Sequence, residues 1–261
     1  MEVITGANIS ELKKEGGEVV ALYETAGGGR GEARADAVFV SAGRRANTLG
    51  MNLEAAGVGT ERGTVKVNEY FQTSRPHIFA CGDCTGGLLF THVAEAEAKV
   101  VVRNILFPYI KSKMDYRVTP WTTFLDPEIA HAGLLKIDAE KKHGAGKIHV
   151  YRYELSDLDR AITESENAGF IEVVTMKWSG KILGATIVAS RAGEMMSEIC
   201  LAMKHGIPVY RLSGLIHAYP TFTLGVRKAA DLYFVETLAE GVKNLKKKLW
   251  PFTPSDRNEP P

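Results

Sequence analysis

Two short patterns place chemically useful side chains at suggestive spacing. The first is Cys81-Gly82-Asp83-Cys84. A C-x-x-C pair suits a thiol redox couple when it opens a helix, or half of a four-ligand zinc site. No second pair follows; the only other cysteine is Cys200. Small, apolar, buried side chains are therefore the preferred reading of both cysteines, ahead of a redox or metal site. Inside the same pattern, Gly82-Asp83 closes the apolar run Pro76–Ala80. A strand ending in Gly-Asp delivers a carboxylate to the sheet edge where α/β folds bind ligands, although such pairs also make plain turns. The second pattern is Gly27-Gly28-Gly29. A glycine run cradles phosphate only with a helix N-terminus right behind it, and here strand-like sequence follows, so a hairpin turn is expected. His131, His143, His149 and His205 show no ligand spacing with one another, and no metal site is expected. The run Lys243–Lys248 reads as a solvated helix end, where cations complement the helix dipole.

These groups must be positioned by a chain of 261 residues, ample for more than one domain. A hydrophobic share of 45%, a charged share of 24% and a net charge of +1 describe an ordinary globular chain. That balance gives no electrostatic reason to expect a nucleic-acid or membrane partner. No apolar run approaches the roughly 20 residues of a membrane span. The opening residues have no basic-then-apolar leader pattern. Three cysteines do not make a disulfide framework, which points to a reducing cytoplasm.

Val3–Thr5, Glu18–Tyr23 and Ala37–Ser41 read as strands, as do Thr64–Val67 and Pro76–Ala80. Thr91–Leu106 carries apolar residues at helical spacing through Val93, Ala96, Val100, Val101 and Ile105, and Pro108 stops it. After residue 115 the pattern changes. Trp121–Phe124, Ile129–Leu134, Lys147–Glu154, Gly169–Trp178 and Lys181–Ala189 read as strands, the last two joined by a two-residue turn at Ser179-Gly180. Arg191–His205 is a helix with the stripe Met195, Met196, Ile199, Cys200 and Met203, ended by Gly206 and Pro208. A second helix is expected over Leu224–Val242, and disorder over Pro251–Pro261.

Three segments carry a resemblance. Asp36–Thr48, ending its apolar run at Gly43, resembles the close of the nicotinamide-binding domain in the pyridine nucleotide-disulfide oxidoreductases. Thr73–Asp83 resembles that family's second flavin motif, and His217-Ala218-Tyr219-Pro220-Thr221 its C-terminal active-site segment. The nearest branches are the dihydrolipoamide dehydrogenase-like and mercuric reductase-like ones. The resemblance implies an α/β remnant of FAD- and NAD(P)-binding domains followed by an α+β dimerisation domain. The divisions it implies are residues 1–48, 49–115 and 116–242, with a polar tail over 243–261. It implies FAD and NAD(P)H as cofactors of the complete protein and a homodimer as its assembly. It places Gly43 near the nicotinamide cofactor, Gly82 where the backbone comes close to the flavin, Asp83 on a flavin ribityl or ribose hydroxyl, and Leu89, Phe90, Thr91 and His92 against the flavin ring, chiefly through backbone amides at a helix start.

The departures from the family pattern narrow the chemistry. The family's proton-relaying histidine is replaced by Tyr219, and its orienting glutamate by Leu224. A phenol with an ordinary pKa of about 10 is a poor base near neutral pH, which disfavours lipoamide or glutathione as acceptor. Tyr219 reads either as a packing aromatic or as a proton donor, and His217 as a weaker catalytic candidate. The C-terminal cysteine pair of mercuric reductase-like enzymes has no counterpart, so the acceptor stays open. The sequence contains no Gly-x-Gly-x-x-Gly and no C-x-x-x-x-C. It therefore reads as the C-terminal part of an FAD-dependent oxidoreductase, inactive without an N-terminal half, or alternatively as a non-catalytic dimerisation module or subunit.

Overall fold

In a computed structural model of the chain, residues 2–249 are described. The first sheet is an antiparallel three-stranded ribbon of β1 (Ala7–Glu15), β2 (Glu18–Thr25) and β3 (Arg30–Ala35). Gly16 and Gly17 link β1 to β2 with φ of +58° and +99°, the mirror-image turn that only glycine adopts without strain. The glycine run at 27–29 is the β2–β3 turn, as expected, with Thr25 N–H bonded to Gly29 O at 2.8 Å.

The sequence reading misplaces the strands at both ends of this ribbon. Val3–Thr5 lies outside β1, which the polar run 7–15 forms instead. That strand is almost wholly exposed, so it shows no buried face to read. Ala37–Ser41 forms no strand, and Phe39 is 93% exposed. A strand needs a neighbour for its hydrogen bonds, and none of the described strands pairs with this segment.

Residues 60–85 are mostly loops. The strand expected at Thr64–Val67 shortens to β5 (Thr64–Val65), paired with β4 (Thr60–Glu61). Pro76–Ala80 keeps one isolated pairing, Gln72 with Phe79. Helix α1 (Thr91–Leu106) occupies the expected residues.

The second half holds the main core. Five antiparallel strands run in the order β6 (Pro120–Thr123), β7 (Glu128–Gly133), β10 (Ile182–Ala189), β9 (Phe170–Met176) and β8 (Ile148–Glu154). One face buries Ile171, Val173, Ala185 and Ile187 against α4 (Ala192–Lys204) and α6 (Leu224–Leu232). The other buries Val174 and Ile148 against α2 (Lys136–His143). A bulge between Ile182 and Gly184 lets Ile182 and Ala185 share a face despite their odd spacing. The β9–β10 turn is wider than two residues: Met176 N–H bonds Lys181 O and Gly180 N–H bonds Met176 O, both at 2.9 Å. Short helices α3 (Asp159–Thr163) and α5 (Val209–Ser213) fill the connections. The last expected helix runs further than Val242: after α6 come a π-helical turn, Tyr233–Leu238, and α7 (Ala239–Leu249). The stretch Pro251–Pro261 lies outside the described residues. No described helix is long and apolar enough to cross a membrane.

Candidate functional site

At Gly82 the chain leaves an extended segment and enters a single 3-10 turn, Gly82–Thr85, rather than ending a strand. Gly82 has φ of +75°, and a Cβ there would lie 2.9 Å from the Cβ of Ala94. Glycine is thus required both by the backbone and by the closeness of α1. Gly82 N–H donates to Glu97 Oε2 at 2.6 Å, and Tyr116 Oη donates to Glu97 Oε1 at 2.5 Å. Glu97 is 2% exposed. Burial, with the Glu97 carboxylate beside it, pushes the Tyr116 phenol well above its ordinary pKa, so it stays a donor. One buried carboxylate thereby pins the Gly82 turn to α1 and to the connection that leads into the five-stranded sheet.

Held this way, Asp83 projects to the surface. Arg44 Nη1 lies 3.8 Å from its carboxylate and donates to Leu89 O at 2.9 Å. One guanidinium therefore links the Gly43 loop, Asp83 and the approach to α1. Gly43 itself has φ of +108° and nothing within 4 Å of its Cβ position. Leu89, Phe90, Thr91 and His92 line an open cavity of about 640 Å³, together with Arg44, Trp121 and Glu194. No side chain caps the N-terminus of α1, and its first turn has no acidic residue. The free amides and the dipole of a 16-residue helix thus open on this cavity. By contrast, the start of α4, also on the cavity wall, is closed by Glu128, whose Oε2 accepts from Gly193 N–H at 3.0 Å. His92 Nε2 lies 2.8 Å from Pro120 O, so the imidazole is engaged and the backbone is what Thr91 and His92 offer a ligand.

Cys81 and Cys84 sit in the same turn as free, partly buried thiols. Burial pushes both thiols up, which disfavours the reactive thiolate. Among the described residues no group of three or more metal-ligating side chains is close enough to hold an ion.

His217 and Tyr219 lie elsewhere, after α5, and neither lines the cavity of residues 89–92. Tyr219 is largely exposed, and a hydrogen bond and charge from Asp159 push its phenol up. His217 is better placed than its sequence position suggests. Its Nε2 lies 3.0 Å and 3.2 Å from the two oxygens of Glu198 on α4. Leu224, at the position that the resemblance gives to glutamate, is buried in the core instead. The carboxylate that holds His217 comes from α4 rather than from position 224, and the other ring nitrogen, Nδ1, lies 3.4 Å from Leu215 O.

Sequence reasoning misses Arg44, Glu97 and Glu198. Glu97 alone left a trace. It sits between Val93 and Val101 on the buried face of α1, where a carboxylate needs partners. Arg44 and Glu198 are ordinary charged residues until the fold brings their partners near.

The protein-family models match in the same order as the motifs. Residues 1–98 match the pyridine nucleotide-disulphide oxidoreductase model, and residues 119–230 match its dimerisation domain. The chain belongs to the pyridine nucleotide-disulfide oxidoreductase family. Among curated relatives of this family, a mitochondrial dihydrolipoyl dehydrogenase from Dictyostelium discoideum is 35% identical over 228 residues, covering 86% of this chain and 46% of that protein. A mercuric reductase from Staphylococcus aureus is 35% identical over 231 residues, covering 88% of this chain and 42% of that protein. The chain spans about half the length of the curated relatives it matches. Similar solved structures include LpdA from Mycobacterium tuberculosis, with a TM-score of 0.76 and 24% identity over 87% of this chain and 48% of that one. The HOCl-induced flavoprotein disulfide reductase RclA from Escherichia coli also has a TM-score of 0.76 and 24% identity, over 88% of this chain and 51% of that one. At that identity the likeness is one of fold.

Proposed function

We propose that this chain supplies one side of the flavin site, and the dimer contacts, of an FAD-dependent NAD(P)H oxidoreductase. The observation that carries the reading is the uncapped N-terminus of α1 opening on the cavity beside Asp83 and Arg44. Those residues fit a flavin: Asp83 would offer an acceptor to a ribityl or ribose hydroxyl, and the uncapped amides of Thr91 and His92 would stabilise the negative charge of a reduced flavin. Bound FAD would accept a hydride from NAD(P)H and pass electrons to an acceptor. In this reading residues 1–48 close the nicotinamide domain, 49–115 close the flavin domain, and 116–242 pair two subunits. The pairing brings His217 and Tyr219 of one subunit to the partner's flavin side. There the Glu198-oriented His217 imidazole takes or gives the acceptor's proton, and the protonated Tyr219 donates a hydrogen bond. Three free thiols fit a reducing cytoplasm.

A second reading is a non-catalytic dimerisation subunit. The Gly43 loop and the run at 38–40 favour it: among the described residues nothing comes within 4 Å of the Gly43 Cβ position, and Val38, Phe39 and Val40 are exposed. The absorbance spectrum of the purified chain, with and without added FAD, separates the two. The chain is expected to purify colourless, having no Gly-x-Gly-x-x-Gly loop for the pyrophosphate, and to perturb the bands of added FAD. Asp83→Ala should abolish that perturbation. FAD bands that never move, at any protein concentration, would leave only the dimerisation subunit.

A further inference from the structure

The match to the dimerisation domain ends at residue 230, yet the chain stays helical through the π turn and α7 to Leu249. The two faces of this added helix are sorted by chemistry. One face is tied to the sheet. Thr237 Oγ1 bonds Tyr151 Oη at 2.6 Å, Glu236 meets His149 at 2.7 Å, and Glu240 meets Lys177 at 2.9 Å. Both carboxylates of the segment are thus paired inward. The other face carries Phe234, Val235, Leu238, Val242 and Leu245, all exposed, with Val235 at 67% and Leu245 at 56%. Through the π turn and the α-helical spacing that follows, these five residues fall on one side. Trp178 lies beside this stripe, since a Cβ on Gly241 would come 3.2 Å from its ring, and it too is exposed. Beyond Glu240 the helix sequence holds Lys243, Lys246, Lys247 and Lys248 and no acidic residue.

An apolar stripe this long asks for a cover, and charge selects which. A second copy meeting this face across a two-fold axis would add a second lysine-rich helix end to the same interface, while Glu236 and Glu240 are already engaged. A layer of anionic lipid headgroups supplies the missing negative charge. It also accepts Trp178 and Phe234 at its rim, where aromatic rings settle. We propose that the helical segment Phe234–Leu249 lies in the plane of an anionic bilayer surface, with its apolar stripe in the headgroup–acyl boundary and the exposed Lys243 at the level of the headgroups. The net charge of +1 conceals this, because the lysines of one helix are balanced by acidic residues elsewhere.

The test is co-sedimentation of the full chain with phosphatidylcholine vesicles, with and without phosphatidylserine. Binding is expected only with phosphatidylserine present, and it should fall as salt rises. Leu245→Glu should weaken it about tenfold or more. Lys243→Ala, a change at an exposed position with no effect on folding expected, should weaken it about fivefold. Equal binding to both vesicle types, or none to either, overturns the proposal. So does a Leu245→Glu chain whose mass by light scattering falls from dimer to monomer, which would make the stripe a contact between copies.

Discussion

The five-stranded sheet and the run at residues 37–41 use similar apolar sequence with opposite results. Phe170–Met176 and Ile182–Ala189 become central strands with Ile171, Val173 and Ile187 fully buried. Ala37–Ser41 is as strand-like in composition, yet it forms no strand and exposes Val38, Phe39 and Val40. The difference is not in the residues. The first two segments have strands on both edges and helices on one face or both. The third pairs with no described strand and stays exposed. Apolar β-branched sequence states a demand for burial, and only a neighbouring element meets it.

The sharpest way to break this contrast is in the sheet. Ile171 lies under α6, where a Cβ on Gly225 would come 2.5 Å from its Cδ1. Ile171→Ala should cost about 2–5 kcal/mol, because helix and sheet are too closely fitted to collapse into the cavity. Chemical denaturation measures it. A loss near zero would mean that the sheet is as loosely packed as the segment before it.

The next effect lies at the junction of the two regions. Glu97→Ala removes the acceptor for Gly82 N–H and Tyr116 Oη together, leaving both without a partner. A loss of about 1–3 kcal/mol is expected, in denaturation or as faster amide exchange at Gly82. Glu97→Gln keeps one carbonyl acceptor and should recover part of it. If exchange at Gly82 is unchanged in Glu97→Ala, the turn is held by something other than this carboxylate.

The same contrast explains what could be read beforehand. In the second half, every expected strand is present within a few residues, and α1 begins and ends where its spacing and Pro108 require. Local pattern suffices there because each buried face is packed by its own neighbours. In the first half the pattern misleads, since β1 is a polar, exposed strand and Ala37–Ser41 an apolar one without pairing. The site divides along similar lines. Gly82, Asp83 and residues 89–92 could be nominated beforehand because they lie within one short stretch whose order carries the resemblance, and the fold gathers 89–92 on one cavity with Arg44. The Arg44–Asp83, Glu97–Tyr116 and Glu198–His217 pairs span different elements, and no spacing in the sequence announces them.

The smallest effect tests the tie between the regions from the other side. Asp115, at the entry to the five-stranded sheet, meets Arg117 at 2.9 Å and Lys204 of α4 at 3.0 Å. Arg117 first, then Lys204, holds its carboxyl well below the usual carboxylate range. A carboxyl with a depressed folded-state pKa stabilises the fold above its unfolded pKa, and this contribution fades as pH falls towards the folded value. The carboxylate is partly exposed, so solvent screens it, and Asp115→Asn should cost up to about 1 kcal/mol at neutral pH. Below pH about 4, where an unfolded aspartate protonates, the gap between the two proteins should narrow. Denaturation midpoints at neutral and acidic pH, each at low and high salt, measure this. A gap that ignores both pH and salt would mean that Asp115 acts through hydrogen-bond geometry, and that charge contributes little to the joint between the two regions.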